Sequence, residues 1–141
     1  MTRSVLFACN MNSVRSPMAA ALLRQAAGEA MQVDSAGVYE GGLDPFVEIV
    51  MAELGLPMGG HEPKTLADVD LAGFDVVVAL TPEAAVEARK QNPRAAIEFW
   101  DIENPSEEQG GREAILAAYA RVRDALREKL ARRFPEICKK P

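Results

Sequence analysis

The stretch Val5-Leu6-Phe7-Ala8-Cys9-Asn10-Met11-Asn12-Ser13-Val14-Arg15-Ser16-Pro17 decides how this chain is built. Its apolar run stops at Cys9, and Ser16 and Pro17 are a residue pair suited to the cap and first position of a helix. A strand, a tight loop and a helix start follow from that order. Five residues separate Cys9 from Arg15, enough only for a loop that curls back on itself. The backbone amides of Asn10, Met11, Asn12, Ser13, Val14 and Arg15 can therefore converge beside the Cys9 sulfur. Amides in such a nest, with the positive end of a helix dipole, attract phosphate-like anions and favour the thiolate form of a cysteine held among them. Arg15 can set a planar fork against two oxygens of a tetrahedral anion. Ser16 can donate its hydroxyl to the sulfur as it attacks or leaves.

At 141 residues, 48% of them hydrophobic, the chain is long enough for one globular domain over residues 1–141. No apolar run is long enough to span a bilayer, and Met1-Thr2-Arg3-Ser4 leads into a strand with no signal-peptide pattern, so a cytoplasmic protein with no membrane partner is expected. The two cysteines, Cys9 and Cys138, stand at opposite ends, which is neither a disulfide framework nor a zinc pattern. A reduced, catalytic thiol is the simpler reading, and neither a metal nor a cofactor is expected. Residues 1–111 carry 7 basic and 17 acidic side chains, whereas residues 112–141 carry 9 basic and 4 acidic ones. That basic segment reads as the solvated face of an amphipathic helix on an otherwise acidic body, not as a nucleic-acid surface. Nothing in the sequence sets an oligomeric state.

Beyond the loop, a helix is expected from Pro17 to about Gly28, burying Met18, Ala21 and Leu22, then a strand over Met31 to Ser35 that ends in Ser35-Ala36-Gly37. Asp44-Pro45 opens a helix with Phe46, Ile49, Val50 and Leu54 on one face and Gly55 at its end. A short helical segment, Leu66 to Leu71, precedes Phe74 to Leu80, whose β-branched run without polar alternation marks a strand buried on both faces. Thr81-Pro82-Glu83 reads as cap and first turn of a helix to about Gln91. A fourth strand follows over Ala96 to Trp100, and a last helix carries Ile115, Tyr119, Val122, Leu126 and Leu130 at helical spacing. Strands alternating with helices predict an α/β fold with a parallel sheet covered on both faces. Ligands of such sheets bind beyond the carboxyl ends of the strands, which is where Cys9 falls.

Cys-x5-Arg-Ser directly after a first strand resembles the phosphate-binding loop of the low-molecular-weight protein tyrosine phosphatases and their arsenate reductase relatives. Asn12 inside the loop, Ser16-Pro17 and the helical Met18 to Leu23 fall in the family's order, and the likeness extends over almost the whole chain. It implies a three-layer sandwich around a four-stranded parallel sheet, with the phosphate-binding loop after the first strand. It also implies that Asn12, the serine of Ser-Ala-Gly (Ser35) and a histidine of this region (His61) form a hydrogen-bond network that holds the loop in shape. Asparagine suits such a place because it tolerates positive φ. The implied activity is hydrolysis of a phosphate monoester, of phosphotyrosine type, by attack of Cys9 and passage through a phosphocysteine. The partner is then a phosphorylated protein or a small phosphate or arsenate oxyanion.

Several positions depart from the family pattern. The proton donor of the phosphatases is an Asp-Pro pair on the loop after the fourth strand, and here Trp100-Asp101-Ile102-Glu103-Asn104-Pro105 stands there, with Asn104 in the acid's place. Asp101 and Glu103 are the substitute candidates, or else merely solvated loop acids. Met11 replaces a usual glycine, Val14 a frequent cysteine, and Ser106 a common aromatic; Tyr39 and Trp100 are left as candidate pocket walls. Two alternatives follow. One is an arsenate reductase that draws on an external thiol, since Leu80 to Gln91 lacks the cysteine pair of the thioredoxin-coupled members. The other is a catalytically weak oxyanion-binding relative.

Overall fold

The computed structural model describes residues 2–138. Four strands, β1 (Ser4–Cys9), β2 (Gln32–Gly37), β3 (Val76–Ala79) and β4 (Ile97–Phe99), pair in the order β2-β1-β3-β4, every pair parallel. Four helices connect and flank them: α1 (Arg15–Ala27), α2 (Pro45–Ala52), α3 (Pro82–Gln91) and α4 (Arg112–Arg133).

Successive residues of a strand face opposite sides of a sheet, and here both sides are apolar. Val5, Phe7 and Cys9 meet Met18, Leu23, Val50, Met51, Tyr119 and Leu126 from α1, α2 and α4. Leu6 and Ala8 of β1, with Val77 and Ala79 of β3, meet Ala84, Ala85 and Ala88 of α3 together with Leu66 and Leu71. All six residues of β1 and all four of β3 are buried, as strands with helices on both faces must be. Three layers result, with a four-stranded parallel sheet in the middle.

The chain runs from β1 to β2 on one side and then crosses to β3 on the other, so the strand order switches at the carboxyl ends of β1 and β3. In open parallel sheets that switch opens a crevice for ligands. Cys9 ends β1, and Thr81 lies two residues past the end of β3.

Element boundaries differ from the sequence expectations where a side chain finds a distant partner. Helix α1 begins at Arg15, with Val14 as an N-cap that has no side-chain bond, so Ser16 lies inside the first turn and is not the cap. Its hydroxyl is taken up by Cys9 and Asn12 instead. Ala21 is only partly buried, while Ala19, Ala20 and Leu23 are fully so. Strand β2 extends to Gly37, because pairing with β1 continues through Ala8↔Ala36 and Cys9↔Gly37. In α2 the deepest residues are Val47, Val50 and Met51; Phe46 and Leu54 are partly buried, and the helix stops at Ala52 before Gly55 at φ 72°. The segment after Thr65 is two separate 3-10 turns, Leu66–Asp68 and Leu71–Gly73. Thr81 caps α3 by accepting from the Ala84 amide, and Asp44 caps α2 by accepting from Phe46. Among the described residues no helix is long and apolar enough to cross a membrane.

Candidate active site

The loop between β1 and α1 is held from outside by its carbonyls. Those of Cys9, Asn10, Met11 and Ser13 accept from the amides of Val38, Tyr39, Gly41 and Asp44 at 2.9, 2.7, 2.8 and 3.1 Å. That of Asn12 faces His61 Nε2 at 2.9 Å, and since a carbonyl can only accept, Nε2 carries the proton. In a planar trans peptide the following N–H points opposite to the carbonyl. Five consecutive amides, Asn10 to Val14, are thereby turned to the other side, and among the described residues none of them donates to a protein acceptor. The first turn of α1, which has no side-chain cap, adds its own amides. A row of unpaired donors at a helix N-terminus is an anion site.

Under that row lies a buried chain of side chains. Asn12 is fully buried at φ 55°, the only non-glycine residue with positive φ among the described residues. Its Oδ1 accepts from the Lys64 amide at 3.0 Å, which fixes the orientation of the group. Nδ2 then donates to Ser16 Oγ at 2.9 Å and to Ser35 Oγ at 3.0 Å. Because Ser16 accepts from Asn12, its own proton is free for an acceptor. Cys9 Sγ at 2.9 Å is nearer than the Ala36 carbonyl at 3.4 Å. Cys9 is 3% exposed, at the start of the loop. Asn12, Ser16, Ser35, His61 and Cys9 are thus joined, with His61 bonded to the backbone of Asn12 and not to its amide.

Arg15 is half-buried beside the loop, and its Nη1 donates to the Ile102 carbonyl at 3.1 Å. The remaining guanidinium donors stay available for an oxyanion. This contact brings the β4–α4 loop to the site, but its carboxylates are differently occupied. Glu103 pairs with Arg121 at 2.7 and 3.3 Å, and this exposed hydrogen-bonded pair holds its carboxyl below the usual range. Asn104 Oδ1 accepts from the amide and hydroxyl of Ser106 at 3.1 and 2.7 Å, closing the turn Pro105–Glu107. Asp101 is exposed, and no hydrogen bond or ion pair engages its carboxylate among the described residues. Of the two candidate walls, Trp100 is partly buried and packs edge-on against Phe7 of the core at 6.1 Å, whereas Tyr39 is 65% exposed. Met11 is 44% exposed.

The chemistry open to this arrangement is nucleophilic attack by sulfur on a tetrahedral oxyanion whose charge is met by loop amides and by Arg15. The family model described as low molecular weight phosphotyrosine protein phosphatase matches residues 4–140. The chain belongs to this family. Among the relatives of this phosphatase-family chain, an arsenate reductase of Bacillus subtilis (strain 168) is 32% identical over 126 residues, 89% of this chain and 91% of that one. An arsenate reductase of Bacillus licheniformis is 31% identical over 135 residues, 95% and 96% of the two chains. Among solved structures, a mutant of YwlE from Bacillus subtilis superposes with a TM-score of 0.79 at 24% identity, covering 99% of this chain and 100% of that one. An arsenate reductase in the reduced state does so with 0.78 at 22%, covering 96% and 98%. These structures share the fold. The family as a whole is enzymatic and acts on phosphate or arsenate oxyanions or on phosphoproteins.

Sequence reasoning missed the partners that reach the loop from afar: the Lys64 amide, the Ile102 carbonyl and Gly37. A Cβ at Gly37 would lie 2.5 Å from the Tyr39 carbonyl, 2.7 Å from the Asn12 nitrogen and 2.9 Å from the Asn10 carbonyl, all backbone atoms. The loop packs directly on the space a side chain would take. Gly37→Ala should destabilise the protein by about 1–3 kcal/mol and abolish phosphate protection of Cys9 from alkylation. Thermal melting and iodoacetamide labelling check the two effects, and wild-type protection in the variant would show that the loop does not depend on this contact.

Proposed function

We propose that this chain is a cysteine-dependent phosphatase of phosphate monoesters, with residues 1–141 acting as one domain. Cys9 Sγ attacks phosphorus in line, an S–P bond forms and the bond to the leaving oxygen breaks. Water then attacks phosphorus, the S–P bond breaks, and inorganic phosphate leaves with the thiolate restored. The amides of Asn10 to Val14 and the free donors of Arg15 stabilise the three oxygens of the transferring group. Ser16, oriented by Asn12, donates to the sulfur when it is the leaving group. Asn12, Ser35 and His61 keep the loop in its positive-φ shape.

The observation that carries hydrolysis over reduction is the place of the second sulfur. Cys138 lines a cavity of about 860 Å³ with Leu22, Gln25, Ala26 and Arg132, at the opposite end of α1 from the loop. Ala26 lies eleven helical steps beyond Arg15, roughly 16 Å, and the chain has no third cysteine. Burial also pushes the Cys138 thiol up, which disfavours it as a nucleophile. Hydrolysis needs only water, whereas arsenate reduction would need a thiol from outside the chain. That second reading is favoured by the two Bacillus relatives, which are arsenate reductases.

Parallel turnover of an aryl phosphate and of arsenate with several thiol reductants separates the two. Hydrolysis of the ester without added thiol, abolished in Cys9→Ser, is expected; arsenite formation with no ester turnover would reverse the assignment. In the same protein iodoacetamide should label Cys9 before Cys138 at mildly acidic pH, and inorganic phosphate should protect Cys9 alone. Equal labelling unaffected by phosphate would remove Cys9 from the mechanism.

A further inference from the structure

Asn10 follows Cys9 at the end of β1, and Thr81 stands just past the end of β3, so together they straddle the switch in strand order. Their side chains meet at 2.6 Å, between Thr81 Oγ1 and Asn10 Oδ1. That distance suits O–H···O and is short for N–H···O. The Thr81 oxygen already accepts from the Ala84 amide at 3.1 Å, and Thr81 is 2% exposed, so its proton has no water to go to. Thr81 therefore donates and Asn10 Oδ1 accepts. The Asn10 NH2, on the other edge of the planar amide in the residue next to Cys9, is left without that partner. Among the described residues no acceptor takes a proton from this NH2 and no buried side-chain nitrogen or oxygen is left unpartnered, so the group is open to solvent.

We infer that the side-chain amide of Asn10, held by Thr81, is a further hydrogen-bond donor to the oxygens of the bound substrate, beside the loop amides and Arg15. This rests on the proposed role of Cys9 in oxyanion attack. Thr81 is then a positioning residue: it caps α3 and through one hydroxyl aims the donor of another element.

The test uses inorganic phosphate as probe, read as competitive inhibition of aryl phosphate turnover and as protection of Cys9 from iodoacetamide. Asn10→Ala should weaken phosphate about 10-fold, the low end for a hydrogen bond to a charged group. Asn10→Asp can still accept from Thr81 but sets an anion where the donor stood. It should weaken phosphate on the order of 100-fold, with recovery as the carboxyl is protonated below about pH 4. Thr81→Val should match Asn10→Ala and add nothing to it in the double variant, and Thr81→Ser should restore wild-type affinity. A role of Thr81 in the helix cap alone would lower the melting temperature without moving phosphate affinity. Wild-type affinity in both Asn10 variants, or full additivity with Thr81→Val, overturns the inference while leaving the role of Cys9 intact. A wild-type protein that binds no phosphate overturns both. If Asn10→Asp does not fold, the Asn10→Ala and Thr81→Val cycle decides.

Discussion

Arg15→Lys should lower kcat/KM for an aryl phosphate by about 10²–10³-fold, the loss typical of removing one transition-state donor, and weaken phosphate binding in parallel. The charge is unchanged by this substitution; the geometry is not. A guanidinium has five N–H donors in a rigid plane, so Arg15 can give Nη1 to the Ile102 carbonyl at 3.1 Å and keep a fork for two oxygens of the anion. Lysine offers a point charge on a flexible stem, and an ammonium that reaches Ile102 leaves no fixed pair of donors for the anion. Melting temperature should change little, because the side chain is half-buried and carries no other bond among the described residues. Steady-state kinetics and the inhibition constant for phosphate measure the effect, and turnover near that of the wild type would show that the transition state is held by the amides alone.

Asn104→Asp should raise turnover of phosphotyrosine by at least about 10²-fold, within the range of a general acid, and change turnover of an activated aryl phosphate far less. A leaving group with a pKa near 10, such as tyrosine, departs poorly without a proton, whereas an activated phenol leaves unaided. Asn104 is tied up in the turn by Ser106, which donates to it through both its amide and its hydroxyl. Aspartate can accept the same two bonds, so the turn should survive. Those donors favour the ionised form and oppose the gain. The increase should therefore grow as pH falls and be larger in combination with Ser106→Ala, which removes the hydroxyl donor. Asp101→Asn and Glu103→Gln are the controls. Glu103 is held ionised by Arg121 and should be dispensable, whereas the Asp101 carboxylate has no partner among the described residues. Selective loss of phosphotyrosine turnover in Asp101→Asn, with no gain from Asn104→Asp, would assign the acid to Asp101. If none of the three changes alters the dependence on leaving group, aryl phosphates are not the substrate and arsenate reduction takes precedence.

Much of this was legible in the order of residues alone. The unbroken apolar run Val5 to Cys9 and the β-branched Val76-Val77-Val78 specify strands with two buried faces, because only a parallel sheet under two helical layers leaves no side for polar residues. Asp44-Pro45 and Thr81-Pro82 start α2 and α3 as read, since a cap and a first-turn proline act over three or four residues. Cys9, Arg15 and Ser16 share one loop and one helical turn, and their closeness needs no knowledge of the rest.

Only the tertiary structure decided which way each polar group is used. Ser16 looks like a helix cap by local preference, and is instead drawn into the buried chain between Asn12 and Cys9. Thr81 does cap its helix, yet its remaining proton goes to Asn10, 71 residues away. The amide that orients Asn12 comes from Lys64 and the carbonyl that meets Arg15 from Ile102, at separations of 52 and 87 residues. Glu103 and Asp101, alike as substitute acids by position, differ because Arg121 reaches Glu103 and no group among the described residues reaches the Asp101 carboxylate. A side chain's local preference is worth about 1 kcal/mol, and a buried hydroxyl or amide left without a partner costs about 1–3 kcal/mol. Wherever the two conflict, the partner supplied by a distant part of the chain prevails.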